Sequence, residues 1–538
     1  MRRDRSDADG DRRRNRRRPV DETDGERPAA GAAGETTDAG ADGGLASDLG
    51  WLAVGVIVGA IAAAAVSASL GPALGSLGSL GGDGATAIDR GDLTLPDETS
   101  RLHDRGVTGS NVTVGVLDAT GFDADNPALR DRVVAARSFG RGNHVANGGV
   151  NAHGTAAAVT VAATAPDADL LLANADSPDG AVRGLQWLVD RDADVVVVQF
   201  NRLGAPDDGT APLSRAVTSA REAGTLVVAP TGNQARGHWS GPLDPGGDGS
   251  HEFPDGARNY LGPLSSSQSS TAGSARAWLT WNGTAATDLD LTLELYRSSP
   301  EGPELVARSE RVEPDAPRPG RVEVERLDAS VEPGAHFVIV RIEEGAGAAS
   351  ASDVRLDLDS PTHGFEQARP AGSVAAPATA RGVLAVGAYD VDSDGVTAHS
   401  GRGPTTDGRR GVDVVAPVGA WSEWPGRGET GTSVAAAYAG GTAALALDAA
   451  PSLGPDGVER ALESSAVDVG PAGADPVAGR GRIDADAAVG RVAPAQAVRT
   501  DRSIPVLESL ALLAGPLVAV AAAAGRSFGA TADWRRDG

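Results

Sequence analysis

Five short, nearly continuous apolar runs alternate with alanine-rich stretches, and that alternation restricts this chain to few architectures. The runs are VTVGVL (112–117), DLLLANA (169–175), DVVVVQF (194–200), TLVVAP (225–230) and GVLAVGA (382–388). They are β-branched and too short for helices, so they read as strands. Residues 154–164, 180–191, 210–223 and 433–449 read as helices. A strand that is apolar on both faces must be covered on both, and intervening helices supply the cover. The expected class is therefore α/β, a parallel sheet with helices on both faces.

Residues 241–365 interrupt this pattern. A Gly/Ser-rich stretch, PLSSSQSSTAGSA, leads into ARAWLTW, DLDLTLELY, RVEVERL, AHFVIVRI and DVRLDLD, with Asn282-Gly283 as one turn between them. These runs alternate with period 2, the pattern of antiparallel strands with one buried face. The expectation is an antiparallel β-sandwich inserted into an α/β domain that is split between residues 95–240 and 366–495.

The ends have a different character. Residues 1–49 hold almost no large apolar side chain, and the first 18 carry nine arginines and four aspartates. Such a segment cannot bury enough surface to fold and reads as a disordered tail. Trp51 to Leu70 is 20 residues without a charge, long enough to cross a bilayer core of about 30 Å. Ser509 to Gly525 is a second apolar stretch of 17 residues, interrupted by Pro516. Two flanking transmembrane helices are expected, at 50–72 and 503–526, with a linker at 73–94 and a tail at 527–538. Two spans place both termini on one side. Local charge orients them weakly, so the side follows from function.

Composition removes several functions. The chain has no cysteine, which excludes disulfides, thiolate metal sites and a cysteine nucleophile. With 48 basic and 73 acidic residues it carries a net charge of −25, which argues against nucleic acid as a partner, since that needs a basic face. All the basic residues are arginine. An acidic, lysine-free, alanine- and glycine-rich chain fits a protein living in high salt.

Three polar residues stand at positions where chemistry is possible. Asp118 ends a buried strand in VGVLDATGFD, where open α/β sheets place functional groups. His153 opens an alanine-rich helix in NAHGTAAAVTVAATA. Ser433 opens the small-residue helix of GETGTSVAAAYAGGTAALAL, whose N-terminal amides favour a developing anion. Taken singly, each has a structural reading: a turn-capping aspartate, a satisfied histidine, a serine N-cap.

Together, in the order Asp, His, Ser, they resemble the subtilisin-like serine peptidases. GTSVAAAYAGG is similar to the serine motif of that family, HGT to its histidine motif and VGVLDATGFD to its aspartate motif. VVAPTGNQ places Asn233 where the family keeps an oxyanion-binding asparagine. The flanks GVTGSNVTVGVLD, APDADLLLANA, SGRGPTTDGRRGVDVVAPVG and GRGRIDADAA agree. The resemblance implies a subtilisin-like fold and cofactor-free peptide-bond hydrolysis through an acyl-enzyme. In that scheme Ser433 is the nucleophile, His153 the general base and Asp118 its orienting carboxylate. It also implies that VQFNRLG (198–204) is the edge with which an extended peptide pairs, with Gln199, Phe200, Asn201 and Gly204 at the substrate. No metal is assigned, although Asp123 with Asp125, or Asp288 with Asp290, could bind calcium as the family often does. The inserted segment resembles the small β-sandwich often found beside secreted peptidase domains.

The chain departs from the family pattern in places. Ala119 intervenes before Thr120-Gly121, which puts the support of Asp118 in question. Val434, Ala437 and Tyr438 replace the methionine and the proline-histidine of the serine motif. The 198–204 segment lacks the usual serine-glycine pair. The 24 positions of 71–94 leave no room for a folded inhibitory pro-domain of the usual kind. The leading expectation is a membrane-anchored serine endopeptidase at the cell membrane, its catalytic domain extracellular, acting on protein or peptide substrates. The alternatives are a catalytically inactive peptide-binding relative and a surface scaffold or adhesion protein.

Overall fold

The computed structural model of the chain describes residues 95–140, 145, 153–264, 272–282, 289–312, 322–344, 353–419 and 431–493. The two candidate membrane spans lie outside them. Among the described residues, no helix is long and apolar enough to cross a membrane.

The α/β part starts with helix α1 (Asp97–Asp104) and strand β1 (Thr113–Asp118). Strand β2 (Val133–Ser138), helix α2 (His153–Thr164), strand β3 (Asp169–Asn174) and helix α3 (Pro178–Val189) follow. Then come strand β4 (Val195–Val198), helix α4 (Pro212–Glu222) and strand β5 (Leu226–Pro230). After an interrupting segment the sheet resumes with β16 (Val383–Asp390), β17 (Gly395–Val396) and β18 (Val414–Val418). Helices α5 (Thr432–Ala449), α6 (Pro455–Ser465) and α7 (Ala485–Val492) close the described chain. The strand order is β17-β16-β5-β4-β1-β3-β2, with β18 paired to β16. All pairs but β16–β17 are parallel. The chain leaves β1 toward β3 and β2, then crosses over to β4, so order reverses around β1. The crevice at the carboxyl ends beside such a reversal is where open α/β sheets bind ligands.

Strand alternation divides the core in two. Val195 and Val197 of β4 pack with α2 and α5. Val196, Val198 and the following Phe200 pack with α3 and α4. Helix α5 is buried nearly all round, the condition of a helix in the middle of a large core. Its small side chains make that possible. A Cβ on Gly440 would lie 2.3 Å from Val197 Cγ2, and one on Gly441 2.5 Å from Thr164 Cβ. Tyr438, the largest side chain of α5, is fully buried, and its hydroxyl pairs with Thr99 Oγ1 of α1 at 2.8 Å.

The interrupting segment forms two five-stranded antiparallel sheets among the described residues. Its strands are β6 (His238–Pro242), β7 (Asn259–Gly262), β8 (Gly273–Asn282), β9 (Asp290–Ser299) and β10 (Gly302–Arg308). They continue with β11 (Glu310–Val312), β12 (Val322–Val331), β13 (His336–Glu344), β14 (Arg355–Asp359) and β15 (Gly364–Phe365). One sheet runs β10-β9-β13-β7-β15, the other β11-β12-β8-β14-β6. Both contribute to one apolar cluster, with Leu279, Trp281, Leu356 and Leu358 from the second and Leu291, Leu293 and Val340 from the first. The segment begins at His238, before the expected start at 241, because HWSGP carries no alternation to mark it. Its first strand, β6, pairs with its late strand β14, Trp239 opposite Leu358.

Gly441→Val places two methyl groups where Thr164 already stands. Overpacking of this kind costs about 1–3 kcal/mol, so a lowered thermal midpoint in molar salt is expected. Gly490→Ala, whose Cβ would meet nothing within 4 Å, is the control and does not lower the midpoint, since alanine favours a helix over glycine.

Candidate active site

The sheet and two helix starts bring the motif residues together. Asp118 is the last residue of β1 and His153 the first of α2, so the carboxylate and the imidazole meet at the carboxyl edge. His153 Nδ1 lies 2.7 Å from Asp118 Oδ2. The other carboxylate oxygen is also used. Asp118 Oδ1 accepts from the Thr120 backbone N–H at 2.6 Å and from the Thr120 hydroxyl at 2.5 Å. The Thr120 hydroxyl in turn accepts from the Gly154 N–H at 3.1 Å. Ala119 therefore costs the aspartate no support, because Thr120, one position later, supplies it. Asp118 is almost fully buried, where a carboxylate with unused lone pairs would be costly. Gly154 is required by sterics: a Cβ there would lie 2.3 Å from Gly121 O and 2.8 Å from Asp118 Oδ1.

Ser433 sits in the first turn of α5, and its hydroxyl donates to the Gln199 carbonyl at 3.3 Å. Gln199 follows β4 beside Asp118, since Leu117 pairs with Val198 and the Gln199 N–H donates to the Leu117 carbonyl. The serine thus stands over the strand that neighbours the aspartate. Asn233 is fixed from the same helix start. Its Oδ1 accepts from the Thr432 N–H at 2.9 Å and the Thr432 hydroxyl at 3.0 Å. The planar amide then directs its Nδ2 donors the opposite way. A Cβ on Gly431 would lie 3.1 Å from that Nδ2, so glycine keeps space around the donor.

The four residues expected at the substrate separate. Gln199 touches Ser433 through its carbonyl, and its own side-chain amide is buried without a hydrogen-bond partner among the described residues. The Asn201 side chain is structural, donating to the carbonyls of Pro230 at 2.7 Å and Ala375 at 3.3 Å. The Phe200 ring belongs to the α3/α4 side of the sheet, away from Ser433. Gly204 faces strand β8: a Cβ there would lie 2.7 Å from Trp278 Cδ1. The Phe200 side chain and Gly204 thus take packing positions: strand alternation turns the first to the far side of the sheet, and Trp278 covers the second. Thr120 and Thr432, which lock Asp118 and Asn233, were not singled out as site residues. Their adjacency to the motif residues was the only signal available.

The sequence matches the peptidase S8 family, described as the Subtilase family, over residues 109–324 and 359–481. The chain belongs to the subtilase family. It is 33% identical over 147 residues to an intracellular serine protease of Paenibacillus polymyxa, covering 24% of this chain and 44% of that protein. It is 32% identical over 148 residues to subtilisin E of Bacillus subtilis strain 168, covering 25% of this chain and 37% of that protein. The chain thus spans less than half the length of these two relatives. The solved structure of the Clostridium perfringens CspB protease superposes with a TM-score of 0.50 at 17% identity, covering 74% of this chain and 96% of that one. At that identity the likeness speaks for the subtilase fold alone, an α/β parallel sheet with its helices.

One set of three carboxylates lies apart from the site. Oxygens of Asp413, Glu459 and Glu463 lie within 4.8 Å of one another. Arg410 pairs with Asp413 at 2.8 Å and Glu463 at 2.6 Å, and Arg221 pairs with Glu459. These two arginines offset part of the charge of the three carboxylates.

Thr120→Val removes the hydroxyl that serves both Asp118 and the Gly154 N–H. Leaving such groups short of a partner costs about 1–3 kcal/mol each. A drop in unfolding free energy of that order is expected from denaturant titration in molar salt, with Thr120→Ser close to wild type.

Proposed function

We propose that this subtilase is a serine endopeptidase that hydrolyses peptide bonds through an acyl-enzyme. The observation that carries this reading is the Asp118–His153 contact at 2.7 Å, with Ser433 seated over the neighbouring strand. A serine hydroxyl is a weak nucleophile until a base takes its proton. His153, with Nδ1 held by Asp118, presents Nε2 as that base and later returns the proton to the leaving amine. Asp118 fixes the tautomer and stabilises the imidazolium. The reading requires the Ser433 hydroxyl to exchange the Gln199 carbonyl for His153 Nε2, since catalytic hydrogen bonds often tighten only in the substrate complex. The tetrahedral oxyanion is received by Asn233 Nδ2 and by the Ser433 N–H, one of the amides that a helix start leaves without an internal acceptor. An extended peptide lies along the backbone that follows β4, near Gln199. No cofactor enters any step.

Sequence supports the remaining parts of the reading. The uncharged stretches within 50–72 and 503–526 anchor the chain in the cell membrane, and the catalytic region lies outside, where an external protease meets its substrates. The region of two antiparallel sheets is an inserted sandwich. The acidic, lysine-free surface suits high salt, where self-repulsion is screened.

The test is labelling of the full-length chain with a fluorophosphonate probe in molar salt. Wild type is expected to label, and Ser433→Ala and His153→Ala are expected to abolish it. Asn233→Ala is expected to lower peptide turnover by about 10²–10³, the loss that removal of such a donor causes in subtilisin. A folded wild type that does not label overturns the endopeptidase reading and leaves a peptide-binding relative.

A further inference from the structure

The sheet β11-β12-β8-β14-β6 has one face in the insert's own core and a second face turned elsewhere. Alternation along each strand decides which residues lie where. Ala275, Ala277, Leu279 and Trp281 of β8, Leu356 and Leu358 of β14 and Trp239 of β6 point into the core. Their neighbours Trp278, Asp357, Asp359, His238 and Ser240, with Val324 of β12, occupy the opposite face. Cross-strand register puts Trp278 beside Asp359 and Asp359 beside His238.

That second face meets the segments that flank the candidate active site. Trp278 and Val324 form an apolar cluster with Leu203 and Ala375. Gly204, with φ +74°, leaves no room for a Cβ against Trp278. The Arg202 N–H donates to the Ala376 carbonyl at 2.7 Å, and the Ala376 N–H donates to Asp207 Oδ1 at 2.8 Å. The same stretch is tied to the oxyanion strand, because the Ala375 N–H donates to the Thr231 carbonyl at 3.2 Å, two residues before Asn233. Insert, Leu203–Asp207 and Val374–Ala376 thus form one continuous set of contacts ending at Asn201 and Asn233.

We propose that the inserted segment is a positioning element of the peptide-binding wall, with Trp278 and Asp207 holding the 201–207 and 374–376 backbones in register for an extended substrate. This deepens the endopeptidase reading and rests on it. Trp278 and Asp207 are positioning residues; neither touches the reacting groups.

The polar half of the junction makes the hold proton-dependent. Asp207 is half-buried and faces Asp359, Asp357 and Asp208; loss of solvent around the carboxyl, then those charges, hold it well above the ordinary range. Burial likewise raises Asp357, against the opposing pull of His238 and Arg355. Burial pushes His238 down, but Asp359, 2.9 Å away, and Asp357 outweigh it and leave it raised, against Arg355. Each group therefore binds its proton more tightly when docked. The resulting stabilisation is present below the undocked values and is lost as pH rises through the docked ones. Asp207→Asn keeps an acceptor for the Ala376 N–H and cannot ionise.

The experiment compares full-length wild type, Trp278→Ala, Trp278→Phe and Asp207→Asn in molar salt. Two readouts are used: fluorophosphonate labelling rate and steady-state kinetics on an extended peptide. Trp278→Ala is expected to raise KM for the peptide about tenfold while kcat and labelling stay within about twofold, the signature of lost uniform binding. Trp278→Phe is expected to recover most of that loss. Asp207→Asn is expected to flatten the rise of KM with pH. A Trp278→Ala protein that labels and binds peptide as wild type does overturns the proposal and leaves the peptidase reading intact. If Trp278→Ala does not fold, Asp207→Asn decides, and a KM–pH profile superposing on wild type overturns the proposal. A folded wild type that neither labels nor cleaves overturns the underlying reading itself.

Discussion

A helix with almost no side chains of size lies through the middle of this protein, and the rest of the α/β fold is arranged around it. Helix α5 packs its Gly440 against Val197 and its Gly441 against Thr164 with no spare volume for a methyl group. Interiors packed to that density transmit displacement rather than absorb it. The approach fixes where α5 begins relative to β4 and α2. It therefore fixes Ser433 relative to Gln199, Asp118 and His153. The catalytic reading depends on that steric contact before it depends on any hydrogen bond.

The sheet was legible because its central strands are apolar on both faces, and little else produces VVVV between two alanine-rich stretches. The elements that escaped are those whose burial is partial or brief. Strand β2 alternates half-buried with exposed positions at the sheet edge, and β10 and β11 close the edges of their sheets. Asp118, His153, Asn233 and Ser433 were legible as motifs because backbone position alone brings them to one edge. Thr120 and Thr432 were not, since their roles depend on where a hydroxyl points once the loops are closed. The packing of Gly204 under Trp278 was not legible either, since strand β8 lies far from it along the chain.

Arginine supplies the cations of the described surface, and it links segments far apart in sequence. Arg221 of α4 reaches Asp456 and Glu459 of α6. Arg101 and Arg105 of α1 reach Asp486 of α7. Arg482 reaches Glu98 at 3.3 Å. A planar guanidinium can serve two carboxylates at once, which a lysine ammonium does with less geometric definition. Exposed pairs of this kind contribute little singly. Their effect here is topological: together with Tyr438 and Thr99, they bind the first and last described helices to the serine helix.

The pairing of β6 with β14 has a kinetic side. Strands β5 and β16 are neighbours in the main sheet, Leu384 opposite Val228, yet strands β6 to β15 separate them along the chain. Closing so long an excursion is slow when it must happen by diffusion of an unfolded loop, because its entropy is lost before any contact repays it. Once β6 and β14 have zipped together, the chain leaving at residue 360 starts from beside Gly237, whose carbonyl accepts the Ser360 N–H at 2.7 Å. The remaining search is then short. The pairing of β6 with β14 thus shortens the most distant connection of the parallel sheet.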